Sequence, residues 1–308
     1  MADLALAGLR RPQKSLPPQL FYDEEGCRLF YRITELPEYY LTRTERALLA
    51  DIAPDVLRRV PSAGVLVEYG ASDEAKALHL LQSAGQTSLR AYVPVDVAAA
   101  ALEAMRTRLG RQLPWLSVHP VARDFMQPIT LPPAVAGLAR LGFFPGSTIG
   151  NLDPEASVAF LRSARRTLGP RAQFLVGADL RKHPDVLLPA YDDKAGITAA
   201  FNRNLLVRLN REAAADFDLN RFAHRTVWND AASRIEMHLV SSCDQVVLVA
   251  GQPIHFTAGE TIHTENSYKH TPEAFLEITG AAGWGCREIW TDPKQWFALY
   301  LLEPRAAA

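Results

Sequence analysis

Val65-Leu66-Val67-Glu68-Tyr69-Gly70, answered further on by Ala91-Tyr92-Val93-Pro94-Val95-Asp96, decides the fold. The first run is apolar and closes on glycine, the second ends on an acid, and Ala71 to Ala84 between them reads as a helix. This is the front half of a nucleotide-binding α/β sheet: the glycine lets the backbone turn at the strand's carboxyl end, and the acid can accept hydrogen bonds from a pair of ribose hydroxyls. A dinucleotide fits poorly, because Gly70-Ala71-Ser72-Asp73-Glu74 lacks the second and third glycines that admit a pyrophosphate. Asp73 and Glu74 at the helix start would also repel phosphate. A cofactor with a ribose and no phosphate fits better, and S-adenosylmethionine is the common one.

Outward from this pair, helices and strands alternate through the first two-thirds of the chain, which predicts a mostly parallel sheet with helices on both faces. Leu116 to Pro120, Leu138 to Phe144 and Gln173 to Asp179 read as further strands. Asp153 and Pro154 announce a helix ending near Gly169. Thr42-Arg43-Thr44-Glu45 reads as a capping box opening a helix toward Ile52. From Lys182 to Glu265 the rhythm changes to one long helix, Ala195 to Ala215, and strand-like pieces at His224 to Trp228, Arg234 to Val240, Gln245 to Leu248 and Ile254 to Phe256. Strands in a run after alternating layers predict an inserted α+β unit. Thr271-Pro272 then restarts a capped helix, and Cys286 to Trp290 with Trp296 to Leu302 form a terminal strand pair.

Composition narrows the setting. The 308 residues carry 33 Lys and Arg against 34 Asp and Glu, a net charge of −1, which gives no long-range pull toward nucleic acid or anionic lipid. Cys27, Cys243 and Cys286 show no paired spacing and read as reduced thiols, so a cytoplasmic location is expected. Met1 to Arg11 has its charges on the wrong side for a signal peptide, and no apolar run approaches the span of a bilayer. The one low-complexity segment is Arg305-Ala306-Ala307-Ala308.

Ligands of open α/β sheets sit at the carboxyl ends of the strands. Four such turns carry signals: Gly70, Asp96, Asp124 and Gly146-Ser147-Thr148-Ile149-Gly150-Asn151. Asp124-Phe125 suits an adenine, whose exocyclic amine can donate to the carboxylate. The Gly146 to Asn151 turn joins two glycines to three hydrogen-bonding side chains, and its glycines permit close approach of a substrate. Tyr22, Tyr39 and Tyr191, taken alone, read as structural tyrosines with satisfied hydroxyls. The polar stretch Ile262 to Lys269 lies just before the capped helix. His263 within it reads as a packing residue, and no second His or Cys stands at ligand spacing, so no metal is expected.

Several segments together resemble the histidine-specific S-adenosylmethionine-dependent methyltransferases, which make trimethylhistidine (hercynine) on the route to ergothioneine. They are Lys14 to Pro18 with Phe21-Tyr22-Asp23, Leu36-Pro37-Glu38-Tyr39-Tyr40 with Thr42 to Glu45, Gly146 to Asn151, Ala190 to Asp193 through Asn202, Arg234 to Met237, and Thr264-Glu265 with Ser267 and Lys269. The resemblance implies a class I (Rossmann-like) methyltransferase domain, 45–181 with 270–308, and a substrate-binding domain, 1–44 with 182–269. It implies that Tyr22, Gly70 and Lys76 hold the methionine part of S-adenosylmethionine, Asp96 its ribose, and Asp124 and Phe125 its adenine. Asn151 and Tyr191 would bind the carboxylate of L-histidine, and Tyr39 and Gly146 would place its α-amine. Glu265 and Ser267 would read the imidazole, with Met237 lining that side.

Methyl transfer from a sulfonium is mainly a positioning problem, and Tyr39 would orient the amine as the catalytic residue. The expected partner is a small molecule, without nucleic acid or membrane, and the sequence leaves the oligomeric state open, a monomer included. The chain departs from the family pattern at Ala71-Ser72, Leu41 and Asn266. Rival readings are an Nα-methyltransferase for tryptophan or a histidine derivative, a nicotinamide dehydrogenase, and a non-catalytic, cofactor-bound regulatory module.

Overall fold

The computed structural model describes residues 1–86 and 88–305, so Thr87 and the last three alanines of the low-complexity end lie outside the described residues. The chain divides into two compact units, Leu41–Arg181 with His270–Ala308, and Met1–Tyr40 with Lys182–Lys269.

The first of these grows from the strand pair that the sequence announces. Ala63–Tyr69 is buried at every position, as a parallel strand with both faces covered must be. It pairs in parallel with Ala91–Asp96 on one side and Ala139–Phe144 on the other. The sheet runs in the order Trp284–Thr291, Phe297–Pro304, Gln173–Asp179, Ala139–Phe144, Ala63–Tyr69, Ala91–Asp96, Ser117–Val118, with Val121–Ala122 also pairing with Ala91–Asp96. Phe297–Pro304 is antiparallel to both neighbours. Alternation along the strands sends Leu66, Tyr92, Leu141 and Leu175 into one apolar layer and Val65, Val93, Phe144 and Val176 into the other. Chain order reverses at Ala63–Tyr69, so its carboxyl end and that of Ala139–Phe144 form a topological switch point, the ligand crevice of open α/β sheets.

Three local expectations change. The helix expected from Ala71 starts at Ala77, because the Asp73 carboxylate takes the Ala75 N–H at 2.8 Å and closes a turn first. Thr42 to Glu45 is not a cap: the helix runs Tyr40–Arg59 with Glu45 inside it. The third strand shrinks to Ser117–Val118 and Val121–Ala122, since Pro120 has no N–H for the ladder.

The other unit holds a four-stranded sheet, Lys14–Ser15, Thr261–Tyr268, Arg234–Ser241 and Phe222–Asn229, and a hairpin of Gln245–Val249 with Gln252–Phe256. Helices Glu24–Thr34 and Ile197–Glu212 belong to it. They are tied by Asp23, which caps the first through the Gly26 N–H at 2.8 Å and receives Asn204 and Arg211 of the second at 2.7 Å each. The polar stretch ahead of the capped helix is itself a strand, Thr261–Tyr268.

That strand carries a register shift between His263 and Glu265. Side chains two apart on a regular strand share a face. Here the shift sets Glu265 opposite Met237 and His263 opposite His238, and Met237 and His238, being consecutive, point to opposite faces. Glu265 and Ser267 therefore share a face with Met237 and Ile235. His263 joins His238 and Glu236 on the other. No helix among the described residues is long and apolar enough to cross a membrane.

Candidate active site

In the unit built on the large sheet, Gly70 lies at the switch point with φ +72°, a left-handed conformation that favours glycine. A side chain there would point at the Phe125 ring, 3.7 Å from its Cβ. The N–H groups of Gly70 and Ala71 both bond the Val95 carbonyl, at 2.9 and 3.1 Å, which holds the turn against the end of the next strand. Asp96 closes that strand. Burial raises its pKa, against the backbone N–H groups of Ala98 and Val97, and its carboxylate keeps lone pairs beyond the Ala98 bond at 2.9 Å. Asp124 accepts the Met126 N–H at 2.8 Å, and Phe125 packs on Phe144 and Phe160 at 5.4 and 5.5 Å between ring centroids.

Glu74 is paired with Arg108 through two contacts of 2.6 Å, and Asp73 is spent on its own turn, so neither offers a phosphate anything. The residues present fit a nucleoside donor without phosphate.

At the neighbouring strand end, Gly146 takes φ +80° and Ser147 φ +54°. The Ser147 hydroxyl accepts the Asp179 N–H at 2.9 Å, which anchors the turn. The Gly146 N–H donates to both oxygens of Glu45, at 2.8 and 2.9 Å. With that donor committed, Gly146 retains its carbonyl, an acceptor, which is the polarity an amine requires. Lys76 is bound to the same Glu45 carboxylate at 2.6 Å. Asn151 ends the turn Thr148–Asn151, half-buried, and its amide has no hydrogen-bond partner among the described residues.

In the unit Met1–Tyr40 with Lys182–Lys269, the face of the Thr261–Tyr268 strand that bears Glu265 forms a polar cluster. Lys269, only 1% exposed, donates to the Tyr191 hydroxyl at 2.8 Å and to the Ser267 hydroxyl at 2.9 Å. The two hydroxyls bond each other at 2.8 Å. An ammonium only donates, so both oxygens accept from it, and their mutual bond uses one hydroxyl hydrogen. The Glu265 carboxylate has no hydrogen-bond donor among the described residues. Burial pushes its pKa up to about 7, with the Lys269 charge pulling the other way. Met237 lies opposite it in the ladder, 2% exposed. Tyr39 meets Tyr191 edge to face at 6.2 Å. Tyr22 is 42% exposed, its ring against Phe21, Phe30 and Phe201.

Over residues 1–304 the chain matches the family described as histidine-specific methyltransferase, SAM-dependent. The chain belongs to that family. A histidine N-alpha-methyltransferase of Mycolicibacterium smegmatis is 42% identical to it, over 96% of this chain and 92% of that one. Ergothioneine biosynthesis protein 1 of Neurospora crassa is 28% identical, over 94% of this chain and 33% of its own. Among solved structures, an S-adenosylmethionine-dependent methyltransferase from Clostridium acetobutylicum superposes with a TM-score of 0.52 at 9% identity, covering 91% of this chain and 99% of that one. That likeness speaks to the class I methyltransferase fold, with its helix-covered, mostly parallel sheet.

Two residues of this histidine-specific methyltransferase stand in the resembling segments without a site role assigned from sequence. Lys269 gains one as the next residue after Glu265 and Ser267 in an alternating series, once the stretch is known to be a strand. Glu45 reads from sequence only as part of the capping box and of the segment Thr42 to Glu45. The sequence offers no second His or Cys at ligand spacing from His263, but folding brings Glu236, His238 and His263 together with ligand atoms within 4.8 Å of one another. The Glu236 carboxylate is already held by Arg234 at 2.6 Å and Asn229 at 2.9 Å. These partners and His238 outweigh burial and take its pKa down to about 2. Arg225 lies opposite His238 in the ladder.

Proposed function

We propose that this methyltransferase moves methyl groups from S-adenosylmethionine to the α-amine of L-histidine, up to trimethylhistidine (hercynine), as a step of ergothioneine biosynthesis. One observation carries the choice of histidine: the Glu265 carboxylate beside the Tyr191–Ser267–Lys269 cluster. A neutral imidazole carries an N–H for the Glu265 carboxylate and a bare nitrogen that suits a polar, hydroxyl-bearing strand face. An indole offers the N–H but an apolar edge to the rest of that face, which disfavours tryptophan.

In this reading Tyr22, Gly70, Lys76, Asp96, Asp124 and Phe125 hold the donor. Tyr39, Tyr191, Met237, Glu265 and Ser267, with Gly146 and Asn151, hold the amino acid. The donor, when bound, supplies a methyl carbon on a sulfonium. The α-amine attacks that carbon as a neutral group, a C–N bond forms as the C–S bond breaks, and each of the first two transfers ends with loss of an amine proton to solvent. The Tyr39 hydroxyl and the Gly146 carbonyl accept amine hydrogens and so aim the lone pair, which is the main demand of such a transfer. The Tyr39 ring suits the quaternary cation that results.

The test is to incubate the protein with S-adenosylmethionine and each amino acid singly and to follow product masses. Successive mono-, di- and trimethylhistidine, with no tryptophan product, is the expected outcome. Donor binding without methylation of any amino acid would instead favour the regulatory module.

A further inference from the structure

Glu45 is 0% exposed, on the helix Tyr40–Arg59, and its carboxylate reaches two other segments of the same unit. It binds the Lys76 ammonium at 2.6 Å and receives the Gly146 N–H on both oxygens, at 2.8 and 2.9 Å. The Lys76 ammonium in turn lies 3.1 Å from where a Gly146 Cβ would stand. A third segment leaves room for the carboxylate: a Cβ at Gly177, on the strand Gln173–Asp179, would come within 2.5 Å of Glu45 Oε1. A buried carboxylate is costly unless it is paired and hydrogen-bonded, and this one has both kinds of partner.

We propose that Glu45 is a positioning residue that sets the Lys76 ammonium and the Gly146 turn at once, so that one buried charge fixes a donor-binding group and a substrate-binding group together. The proposal rests on the reading given above for Lys76 and Gly146. Its logic is a count of donors. Lys76 and Gly146 both donate: Oε2 receives both of them, and Oε1 also receives the Gly146 N–H. Glutamine has the same size but lacks the charge, and whichever way its amide turns, its NH2 group stands where an acceptor stood. Glu45→Gln therefore weakens the hold on the ammonium and sets a donor against either the ammonium or the turn.

The experiment compares E45Q, K76M and the double variant by calorimetric binding of S-adenosylhomocysteine, with melting temperature measured in parallel and histidine kinetics at saturating donor. E45Q and K76M are each expected to weaken S-adenosylhomocysteine binding about tenfold, because each removes one charge-assisted hydrogen bond. The double variant should be no weaker than K76M, because residues acting through one interaction are not additive. The histidine KM should rise more in E45Q than in K76M, since only E45Q alters the acceptor of the Gly146 N–H. E45Q that melts lower but binds S-adenosylhomocysteine like the parent would overturn the proposal, as would additive losses in the double variant. The S-adenosylhomocysteine cycle needs no amino acid. Failure of histidine as substrate would appear separately, as an absence of methylated product from the parent protein.

Discussion

Glu265 accepts from an imidazole N–H most strongly as a carboxylate, and burial places its ionisation near neutrality, at about 7. As pH falls through that value the carboxyl gains a proton and the hydrogen bond loses its charge, so histidine affinity is expected to weaken from pH 8 to pH 6. Histidine's own imidazole titrates at about 6.5, so the control is Glu265→Gln, whose affinity should change less across the same range. Calorimetric titration of histidine into the S-adenosylhomocysteine complex reads both curves, and identical curves would remove Glu265 from recognition. Lys269→Met should move the parent's transition to higher pH, because Lys269 is the charge that favours the carboxylate. Tyr39→Phe tests the other end of the substrate. Losing one amine hydrogen bond should lower kcat by about tenfold, with a smaller change in S-adenosylhomocysteine affinity; an unchanged kcat would take Tyr39 out of the mechanism.

Two strands show how far a reading by elements reaches. Gln173–Asp179 was visible with its bounds because a short apolar run ahead of a turn is a strong strand signal. Thr261–Tyr268 was not, because its middle, His263 to Ser267, is polar throughout and its alternation is broken by the register shift at Thr264. Such a strand forms because neighbours supply the ladder and bury Ile262, Thr264 and Ser267, not because its own residues favour it. The cost of that blind spot fell on the site, since Lys269 acquires its meaning from strand alternation. Gly177 inside the legible strand has its own consequence. Its Cβ would meet Glu45 Oε1 at 2.5 Å and the Phe297 ring at 3.1 Å, so Gly177→Ala overpacks a closed layer, at about 1–3 kcal/mol. The variant should melt several degrees lower and bind S-adenosylhomocysteine more weakly; normal binding with a normal melting temperature would mean that the layer yields.

At the scale of the molecule, the large sheet was legible because its strands are locally apolar and punctuated by glycine, acid and proline. The pairings that assemble the polar clusters were not, because they join residues distant in sequence. The same long-range packing sets how stability depends on pH. Glu68, one residue before the Tyr69-Gly70 turn, is 2% exposed beside the Tyr92 hydroxyl, which bonds it. Burial pushes its pKa up to about 8, against the Tyr92 bond and the Lys76 charge, with Asp73 and Glu45 adding to the rise. An unfolded glutamate releases its proton near 4.3, so between there and about 8 the folded chain holds a proton that the unfolded chain has lost. Stability then falls as pH rises through this window, since its slope follows the protons bound by the unfolded state minus those bound by the folded one. The contribution is fully present below the unfolded value and gone above about 8. Glu236, held at about 2 by its partners, has the opposite sign and matters only in acid. Glu68→Gln keeps the size and stays neutral at every pH, so the variant's melting temperature minus the parent's should become more positive between pH 6 and pH 9. A difference that stays constant over that range would show that Glu68 does not titrate in the folded protein.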